Sequence, residues 1–299
     1  MVARRLSVVG VPVSAGSHNP GQEGAPAAWR EAGLIERLSR DGHDVVDTGD
    51  LTVHRYRPGE TTEGVRDLQT VVSVVTETAD RVAEIAMGGR LPVVLGGDCT
   101  ITLGVVAGLA RVSDPGLLYV DGDADLNIPS TSDSGVLDTM GMTHLLGGGR
   151  AELASVGPRN PLLGDRQVSL FGFDPAELDT AQWSELVTRD LAATPGPAVR
   201  TDPHGSAVRA LEQLKRHCRG VVLHLDVDVM DSGTFPLANF PHFNGLTTEE
   251  IATCLSVFCA TSTLAALVIT EVNPDHDPEG DHLAQLLGII ANALVLGAP

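Results

Sequence analysis

Short apolar runs recur along this chain, and each leads through a turn into a stretch with helical spacing. Short apolar runs between turns are typical of buried strands, whereas apolar residues three and four positions apart are typical of helices. The strand-like runs cover residues 6–13, 44–47, 92–95, 117–120, 168–173, 221–229 and 267–270. The helical stretches cover residues 25–40, 65–87, 207–217 and 248–258.

The alternation of strands with helices favours a parallel sheet that has helices on both faces. In such sheets ligands bind outside the carboxyl ends of the strands. The polar segments 55–64 and 192–206 are predicted to be surface loops, and neither marks a domain boundary by length or composition. We therefore expect residues 1–299 to form a single α/β domain.

Composition and charge exclude some classes of partner. Hydrophobic residues make up 42% of the chain, enough for a substantial core, and aromatics only 3%, so aliphatic side chains must fill that core. The formal net charge of −19 makes nucleic acid and anionic membrane surfaces poor partners, whereas cationic ligands are well tolerated. A homo-oligomer is possible.

The cysteines and the longest uncharged stretches bear on the compartment. Cys99, Cys218, Cys254 and Cys259 form no closely spaced pair, so we expect no disulfide scaffold and a reducing cytoplasm. No signal-peptide pattern is expected at the start of the chain. The uncharged stretch 251–270 is predicted to be a helix, a turn and a strand. The second uncharged stretch, residues 283–299, is interrupted by Gly and Asn. Neither stretch therefore predicts a membrane span.

Three aspartates follow one of the predicted strands. Asp121, Asp123 and Asp125 stand at alternate positions after an apolar run. In an extended backbone they would share one face, where their carboxylates would repel each other. A bound cation relieves that repulsion. The alternative is a solvated acidic loop or a calcium-type loop, which the buried-looking strand before the acids disfavours.

A second strand end carries His224, Asp226 and Asp228 on one face, with apolar residues between them. A parallel strand buried on both faces should be apolar throughout, so the two acids need compensation, which a metal supplies. A third strand ends in Gly96-Gly97, a pair that allows a sharp turn to deliver Asp98 or Cys99 at the sheet edge. An ordinary loop with a capping Asp98 or Thr100 is the alternative there. Together the three motifs predict a polynuclear metal site.

In order and approximate spacing these motifs resemble those of the ureohydrolases, the family of arginase, agmatinase and formimidoylglutamase. Gly96-Gly97-Asp98-Cys99 resembles the family's GGDH motif, residues 121–125 its DAHxD motif, and residues 226–228 its SxDxDxxDP motif. Residues 271–274 resemble the glutamate motif near the family's carboxyl end. Further likeness lies at residues 10–12, 24–26 and 45–51, so the resemblance covers nearly the whole chain.

The resemblance implies a three-layer α/β/α fold around a mostly parallel, eight-stranded sheet. It also implies a pair of divalent ions, usually Mn²⁺, that activate the water which attacks a guanidinium carbon, so that urea leaves. Of the implied ligands, Asp121 and Asp226 would bridge the two ions. The implied ligand set is Cys99, Asp121, Asp123, Asp125, Asp226 and Asp228.

The same resemblance implies the residues that handle the substrate. Glu271 would pair with the guanidinium nitrogens. Asn127 and Ser134 match positions that touch the amino-acid end of the substrate in arginase. The candidate catalytic residues are Asp123, Asp138 and Glu271.

This chain departs from the family at three positions. Histidine is expected where Cys99 and Asp123 stand. A third histidine, the proton shuttle, is replaced by Asp138 in an alignment without a gap, or by Met140 with a short gap. The chain's other histidines near these motifs are expected to be structural or solvent-exposed; they are His144, His242 and His276.

These departures leave the metal and the substrate open. A thiolate favours zinc or iron, whereas carboxylates favour manganese or magnesium. A Cys in place of His and a missing shuttle also resemble the hydroxyarginine-hydrolysing branch used in antibiotic biosynthesis. Three functions are therefore carried forward: hydrolysis of a small guanidino or amidino compound, hydrolysis of a hydroxyguanidino or formimino compound, and a catalytically silent relative that binds metal or a ligand.

Overall fold

One sheet of eight parallel strands runs through the part of the chain that the computed structural model describes, which is residues 3–59, 61, 63–130 and 132–296. The strands are β1 Arg5–Gly10, β2 Asp44–Asp50, β3 Leu91–Leu95, β4 Pro115–Val120, β5 Val168–Phe171, β6 Ala192–Thr194, β7 Gly220–Asp226 and β8 Leu264–Thr270. Their spatial order is β2-β1-β3-β8-β7-β4-β5-β6, and every pairing is parallel. The sheet therefore has the strand number and direction that the family resemblance implies.

Helices cover both faces of this sheet. They are α1 Ala25–Glu31, α2 Leu34–Arg40, α3 Leu68–Met87, α4 Ile101–Leu109, α5 Gly141–Leu145, α6 Ala151–Ala154, α7 Thr180–Thr188, α8 Gly196–Thr201, α9 Pro203–Leu214, α10 Thr248–Cys259 and α11 Asp281–Leu296. The buried apolar side chains form two clusters, one between the sheet and α1, α2, α9, α10 and α11, the other between the sheet and α3, α4 and α5. This is the expected three-layer α/β/α architecture.

The central strands are apolar because both of their faces are buried. Along β7, Leu223 and Leu225 pack into one cluster, while His224 lies on the opposite face, paired in register with Tyr119 of β4 and Val268 of β8. His224 is therefore a polar side chain within an otherwise apolar layer.

Several predicted bounds are wrong, for local reasons. The predicted helix over residues 25–40 is two helices, because Gly33 between them takes the left-handed conformation (φ 85°). The segment 192–206, predicted to be a loop, holds β6, α8 and the start of α9, which begins with an Asp202 cap and Pro203. The run 221–229 is a strand only to Asp226 and then becomes a 3₁₀ turn over Val227–Val229.

The uncharged stretch 251–270 folds as the predicted helix, turn and strand. Among the described residues, none of the helices has the length and apolar character that a membrane crossing requires. All four cysteines are free thiols, as expected. That residues 1–299 form one domain stays a prediction.

Candidate metal and catalytic site

Four adjacent strands deliver the candidate site residues to one edge of the sheet. β3, β8, β7 and β4 are neighbours in the sheet order, and their carboxyl ends are followed by Cys99, Glu271, Asp228 and Asp121 respectively. Asp226 is the last residue of β7. Residues 171 positions apart in sequence therefore meet at this edge, which is the expected place for a ligand in a parallel sheet.

A cleft of about 550 Å³, its open mouth included, lies over this edge. All six residues of the predicted ligand set line it, together with Asp138 and Glu271. Asn127 and Ser134 are not among its lining residues. The backbone amide of Asn127 donates to the carbonyl of Thr139. The Ser134 hydroxyl contacts the Ser132 hydroxyl within its own loop.

Cys99 lies at the floor of the cleft, where the Gly96-Gly97 turn places it. Its Sγ is 2.6 Å from Asp226 Oδ2, to which the thiol donates, and 3.1 Å from Thr270 Oγ1. Burial and the neighbouring carboxylates, Asp226 first among them, raise the pKa of the thiol well above its usual range. Without a cation, Cys99 is therefore a neutral thiol.

The carboxylates crowd together in the same way. Burial, followed by repulsion from Asp228 and Asp226, raises the pKa of Asp121 well above its usual range, and burial raises the pKa of Asp226 as well. Asp121 Oδ2 is buried without a hydrogen-bond partner among the described residues. Such a group is costly unless something compensates for its lost hydration, and a divalent cation would do so.

Asp125 is held by a hydrogen bond rather than by an opposite charge. The Tyr119 hydroxyl donates to Asp125 Oδ2. The Asp125 backbone has φ 51°, so the acids do not follow the extended backbone that their alternation predicts. Instead a turn brings the three carboxylates towards one another, at some cost in backbone strain.

One cationic group faces the acids, and it is a histidine that the sequence analysis expected to be structural or exposed. His242 Nε2 lies 3.3 Å from Asp228 Oδ2, and Nδ1 lies 2.8 Å from Glu177 Oε2, although neither nitrogen is aligned for a hydrogen bond. Burial lowers the pKa of His242, but Asp228 and Glu177 outweigh burial and raise it to about 10. Correspondingly, burial raises the pKa of Asp228, and His242 brings it below its usual value. His242 is thus an imidazolium within the cleft.

Glu271 follows β8 in a left-handed conformation, with φ 62°, which is uncommon for a residue with a side chain. Gln22 Nε2 donates to its Oε2 at 2.7 Å, while Oε1 is buried without a partner among the described residues. Burial is the main cause that raises the pKa of Glu271 to about 8. One carboxylate oxygen is thus fixed and the other is left free at the cleft.

The two candidates for the position of the shuttle histidine, Asp138 and Met140, lie in different surroundings. Asp138 lines the cleft, and its Oδ1 accepts a hydrogen bond from the Cys99 amide at 2.6 Å. Met140 is fully buried in the apolar cluster. Burial, followed by repulsion from Glu271, raises the pKa of Asp138 well above its usual range.

The other two candidate histidines lie outside the cleft lining, as expected. His144 Nδ1 contacts the carbonyl of Met140 at 2.7 Å, and its Nε2 accepts from the Arg150 amide. His276 Nδ1 contacts the carbonyl of Ala238. Asp98 is also structural, because its carboxylate accepts from the amides of Gly16 and Thr100.

The donor set fits a divalent metal. Oxygen and sulfur ligands from several strands converge, and Asp121 Oδ2 has no other partner. Two groups have ligand atoms that all lie within 4.8 Å of one another. One group is Cys99, Asp121, His224 and Asp226, and the other is Cys99, Asp138 and Glu271. His224 was noted in the sequence only as a companion of the acids on its strand.

Comparison with known proteins shows which protein family the chain resembles. A model of the arginase family matches residues 4–296. An arginase from Brevibacillus brevis is 32% identical over 284 residues, covering 92% of this chain and 93% of that protein. The crystal structure of an arginase from Bacillus cereus superposes with a TM-score of 0.88 at 28% identity and 99% coverage of both chains. An arginase structure from Bacillus caldovelox gives 0.88 at 27% identity, again with 99% coverage of both.

The sheet and the acidic edge define a ureohydrolase-type α/β protein. Within that class, the chain belongs to the arginase family.

Proposed function

We propose that this chain is a metal-dependent hydrolase that cleaves a C–N bond in a small guanidino or amidino compound. The observation that carries the proposal is the convergence of six anionic ligand candidates, Asp138 and Glu271 in one cleft of an arginase-family fold. Similar proteins of this family are named arginases. Divalent metal held by these ligands would supply a water-derived nucleophile at neutral pH.

Glu271 would bind and orient the substrate. Gln22 fixes Oε2, which leaves Oε1 to accept hydrogen bonds from the amino groups of a planar cation. A guanidinium placed there also opposes the burial that raises the pKa of Glu271, so substrate and carboxylate stabilise each other's charge. The excess of acids over bases in the cleft favours the same cationic class of substrate.

Asp138 would donate the proton that the leaving nitrogen needs. Burial, and then the charge of Glu271, raise the pKa of its carboxyl and so favour the protonated form. A carboxylic acid with a raised pKa acts as a general acid, a role that the family gives to a histidine. Asp123, with a pKa raised by burial, is a second acid at the cleft wall.

The finer predictions belong to the same proposal. They are a pair of divalent ions, Mn²⁺ first and Zn²⁺ or Fe²⁺ because of Cys99, and a cytoplasmic protein for which a homo-oligomer is possible. Asn127 and Ser134 would contact the substrate only if it extends beyond the cleft lining. A hydroxyguanidino or formimino substrate is the second candidate, because Cys99 replaces an imidazole.

The proposal is tested by measuring urea, hydroxyurea, ammonia and formamide release from a panel of guanidino, hydroxyguanidino and formimino compounds. The enzyme would be loaded separately with Mn²⁺, Zn²⁺ and Fe²⁺. We expect turnover of a cationic compound that falls at least 100-fold in Glu271→Gln while bound metal is retained. Glu279→Gln, at an exposed position nearby, is the matched control and should behave as wild type.

Two outcomes would count against hydrolysis. Metal binding without turnover of any compound would favour the silent relative that binds metal but does not catalyse hydrolysis. Normal turnover by Glu271→Gln would make Glu271 structural and would remove the main support for a guanidinium substrate.

A further inference from the structure

His224 lies beneath the floor of the cleft and is not used by the function proposed above. It is fully buried on β7, on the same face as Asp226. Its Nε2 points towards the acids, at 3.5 Å from Asp121 Oδ2 and 3.6 Å from Cys99 Sγ. Nε2 also lies 3.5 Å from Thr270 Oγ1. All three separations are longer than the roughly 2.9 Å of a good N–H···O hydrogen bond.

The rest of the ring is held firmly. Nδ1 lies 2.7 Å from the Thr102 hydroxyl, which is itself buried. The ring stacks on Tyr119 with centroids 4.2 Å apart and planes 9° from parallel. A histidine whose Nδ1 is fixed by a hydrogen bond and whose Nε2 faces anionic groups has the arrangement of a metal ligand.

We propose that His224 Nε2 joins Cys99, Asp121 and Asp226 as the fourth ligand of a tetrahedral Zn²⁺ site. This rests on the metal dependence proposed above, but it adds an imidazole at a position outside the predicted ligand set. Sulfur, imidazole and carboxylate are the ligand types that zinc prefers, whereas an all-carboxylate set favours manganese or magnesium.

Two of the separations between the four ligand atoms match those of a tetrahedral zinc site. With Zn–S about 2.3 Å and Zn–N and Zn–O about 2.0 Å, neighbouring ligand atoms should lie about 3.6 Å apart for S–N and about 3.4 Å for N–O. The observed separations are 3.6 Å from Cys99 Sγ to His224 Nε2 and 3.5 Å from Nε2 to Asp121 Oδ2.

One edge is too short for zinc. Cys99 Sγ and Asp226 Oδ2 are 2.6 Å apart because the thiol donates to the carboxylate. Zinc would replace that proton, and the edge would open by about 1 Å to reach the tetrahedral separation. Asp121 Oδ2, which has no hydrogen-bond partner, would gain one bond without losing another.

The ordinary alternative is a core histidine satisfied by Thr102. It accounts for Nδ1, but it leaves Nε2 with three long contacts and Asp121 Oδ2 without a hydrogen bond among the described residues. His242, one of the imidazoles that line the cleft, lies against Asp228 and Glu177 instead. A test must therefore separate these two histidines.

The experiment uses the full chain, loaded with Zn²⁺ or Co²⁺ and dialysed. Zinc content would be measured by elemental analysis, and zinc affinity by competition with a chromophoric chelator. X-ray absorption would count the sulfur and imidazole ligands. We expect one sulfur and one imidazole on zinc in wild type, and the same in His242→Gln. His224→Gln should lose the imidazole and bind zinc more than about 100-fold more weakly, beyond the 10- to 100-fold that loss of an outer partner costs.

His144→Gln changes another buried histidine outside the cleft lining and should leave zinc affinity unchanged. If His224→Gln does not fold, Thr102→Val tests the same geometry, because it removes only the partner of Nδ1 and should weaken zinc binding about 10-fold or more.

An imidazole count of zero on the wild-type zinc, or an imidazole signal lost only in His242→Gln, would overturn the assignment of His224. Wild-type protein that binds no divalent metal would instead overturn the proposed function itself. The two failures are therefore distinguishable.

Discussion

At the scale of the residue, burial raises the pKa of several acidic groups in the cleft and so favours their neutral, protonated forms. Cys99, Asp121, Asp138 and Asp226 all have a pKa well above the usual range, and burial is the first cause in each. Only Asp228 is lowered among the predicted ligands, because His242 stands beside it. Residue types at these positions therefore indicate a cation, but the charge state of each depends on neighbours that are distant in sequence.

Tyr119 is a residue whose role can be tested alone. Its hydroxyl donates to Asp125 and orients that carboxylate. Tyr119→Phe removes only this hydroxyl, so we expect the fold to be retained and metal affinity to fall roughly 10- to 100-fold. Competition titrations would measure the affinity. Tyr56→Phe, at the chain's other tyrosine, is the control, and equal affinities in the two variants would contradict the role given to Asp125.

His144 predicts a pH dependence of stability that is separate from the metal ligands. Burial lowers its pKa from 6.5 to about 4, so the folded protein binds this proton more weakly than the unfolded chain. The associated stability is complete above pH 6.5 and is lost as the pH falls towards 4, by at most about 3 kcal/mol. Urea unfolding of wild type between pH 7 and pH 5 should therefore show a steeper loss than His144→Gln. Parallel curves would show that His144 does not titrate differently on folding.

At the scale of the element, the positions of most strands could be predicted from local apolar runs, whereas the structure of the connecting segments could not. The seven predicted strands are all present. Most are short apolar runs buried by helices on both sides, whereas β2 is a largely exposed strand at the edge of the sheet. β6 was missed, since its three residues, Ala192–Thr194, carry no apolar run and lie at the edge of the sheet. The turn after Asp226 was missed because its hydrogen bond, from the Asp228 amide to Asp226 Oδ1, depends on side-chain geometry.

The turn that carries Cys99 gives a test at this scale. A Cβ on Gly97 would lie 1.7 Å from the carbonyl oxygen of Val13, and the Gly97 carbonyl accepts from the Glu271 amide. Gly97→Ala must therefore shift either the segment after β1 that carries Val13 or the Glu271 turn. We expect weaker metal binding together with lower stability. Denaturant unfolding and metal titration measure the two effects.

Gly288 provides the matched control for that substitution. It lies inside α11 with open space around its Cα, so Gly288→Ala should raise the free energy of unfolding by up to about 1 kcal/mol through helix propensity. Metal affinity should not change. A stable Gly97→Ala protein with wild-type metal affinity would show that the loop can move without disturbing the site.

At the scale of the whole molecule, the predicted metal ligands could be brought together from sequence because a parallel sheet gathers the carboxyl ends of its strands at one edge. Asp138 could be placed only as one of two alternatives, and the partner of each acid could not be assigned at all. Gln22 and His242 reach the cleft from loops with no motif, and His224 is separated from Cys99 by 125 positions. Such contacts are set by packing rather than by a local pattern.

The acidic edge makes the stability of the whole chain depend on metal and pH together. A carboxyl whose pKa is raised on folding contributes stability that is present at low pH and is lost as the pH rises through the folded value. For Glu271 this loss runs from pH 4.5 to about 8, and it costs about 1.4 kcal/mol for each pH unit. Asp121 and Asp226 act with the same sign. His144 acts with the opposite sign, but only below pH 6.5.

Between pH 6.5 and 8.5 the chelated protein should therefore lose stability as the pH rises. Metal-loaded protein should keep its stability, because metal replaces the protons and binds better as they leave. Thermal unfolding at several pH values, with EDTA and with saturating Zn²⁺ or Mn²⁺, measures both curves. We expect the melting temperature of the chelated form to fall by roughly 5 °C or more over this range, given a loss of a few kcal/mol. Asp121→Asn should make the melting temperature fall less steeply with pH, since it removes one titrating carboxyl. If the melting temperature changed with pH identically with and without metal, the acids at this edge would not hold the metal.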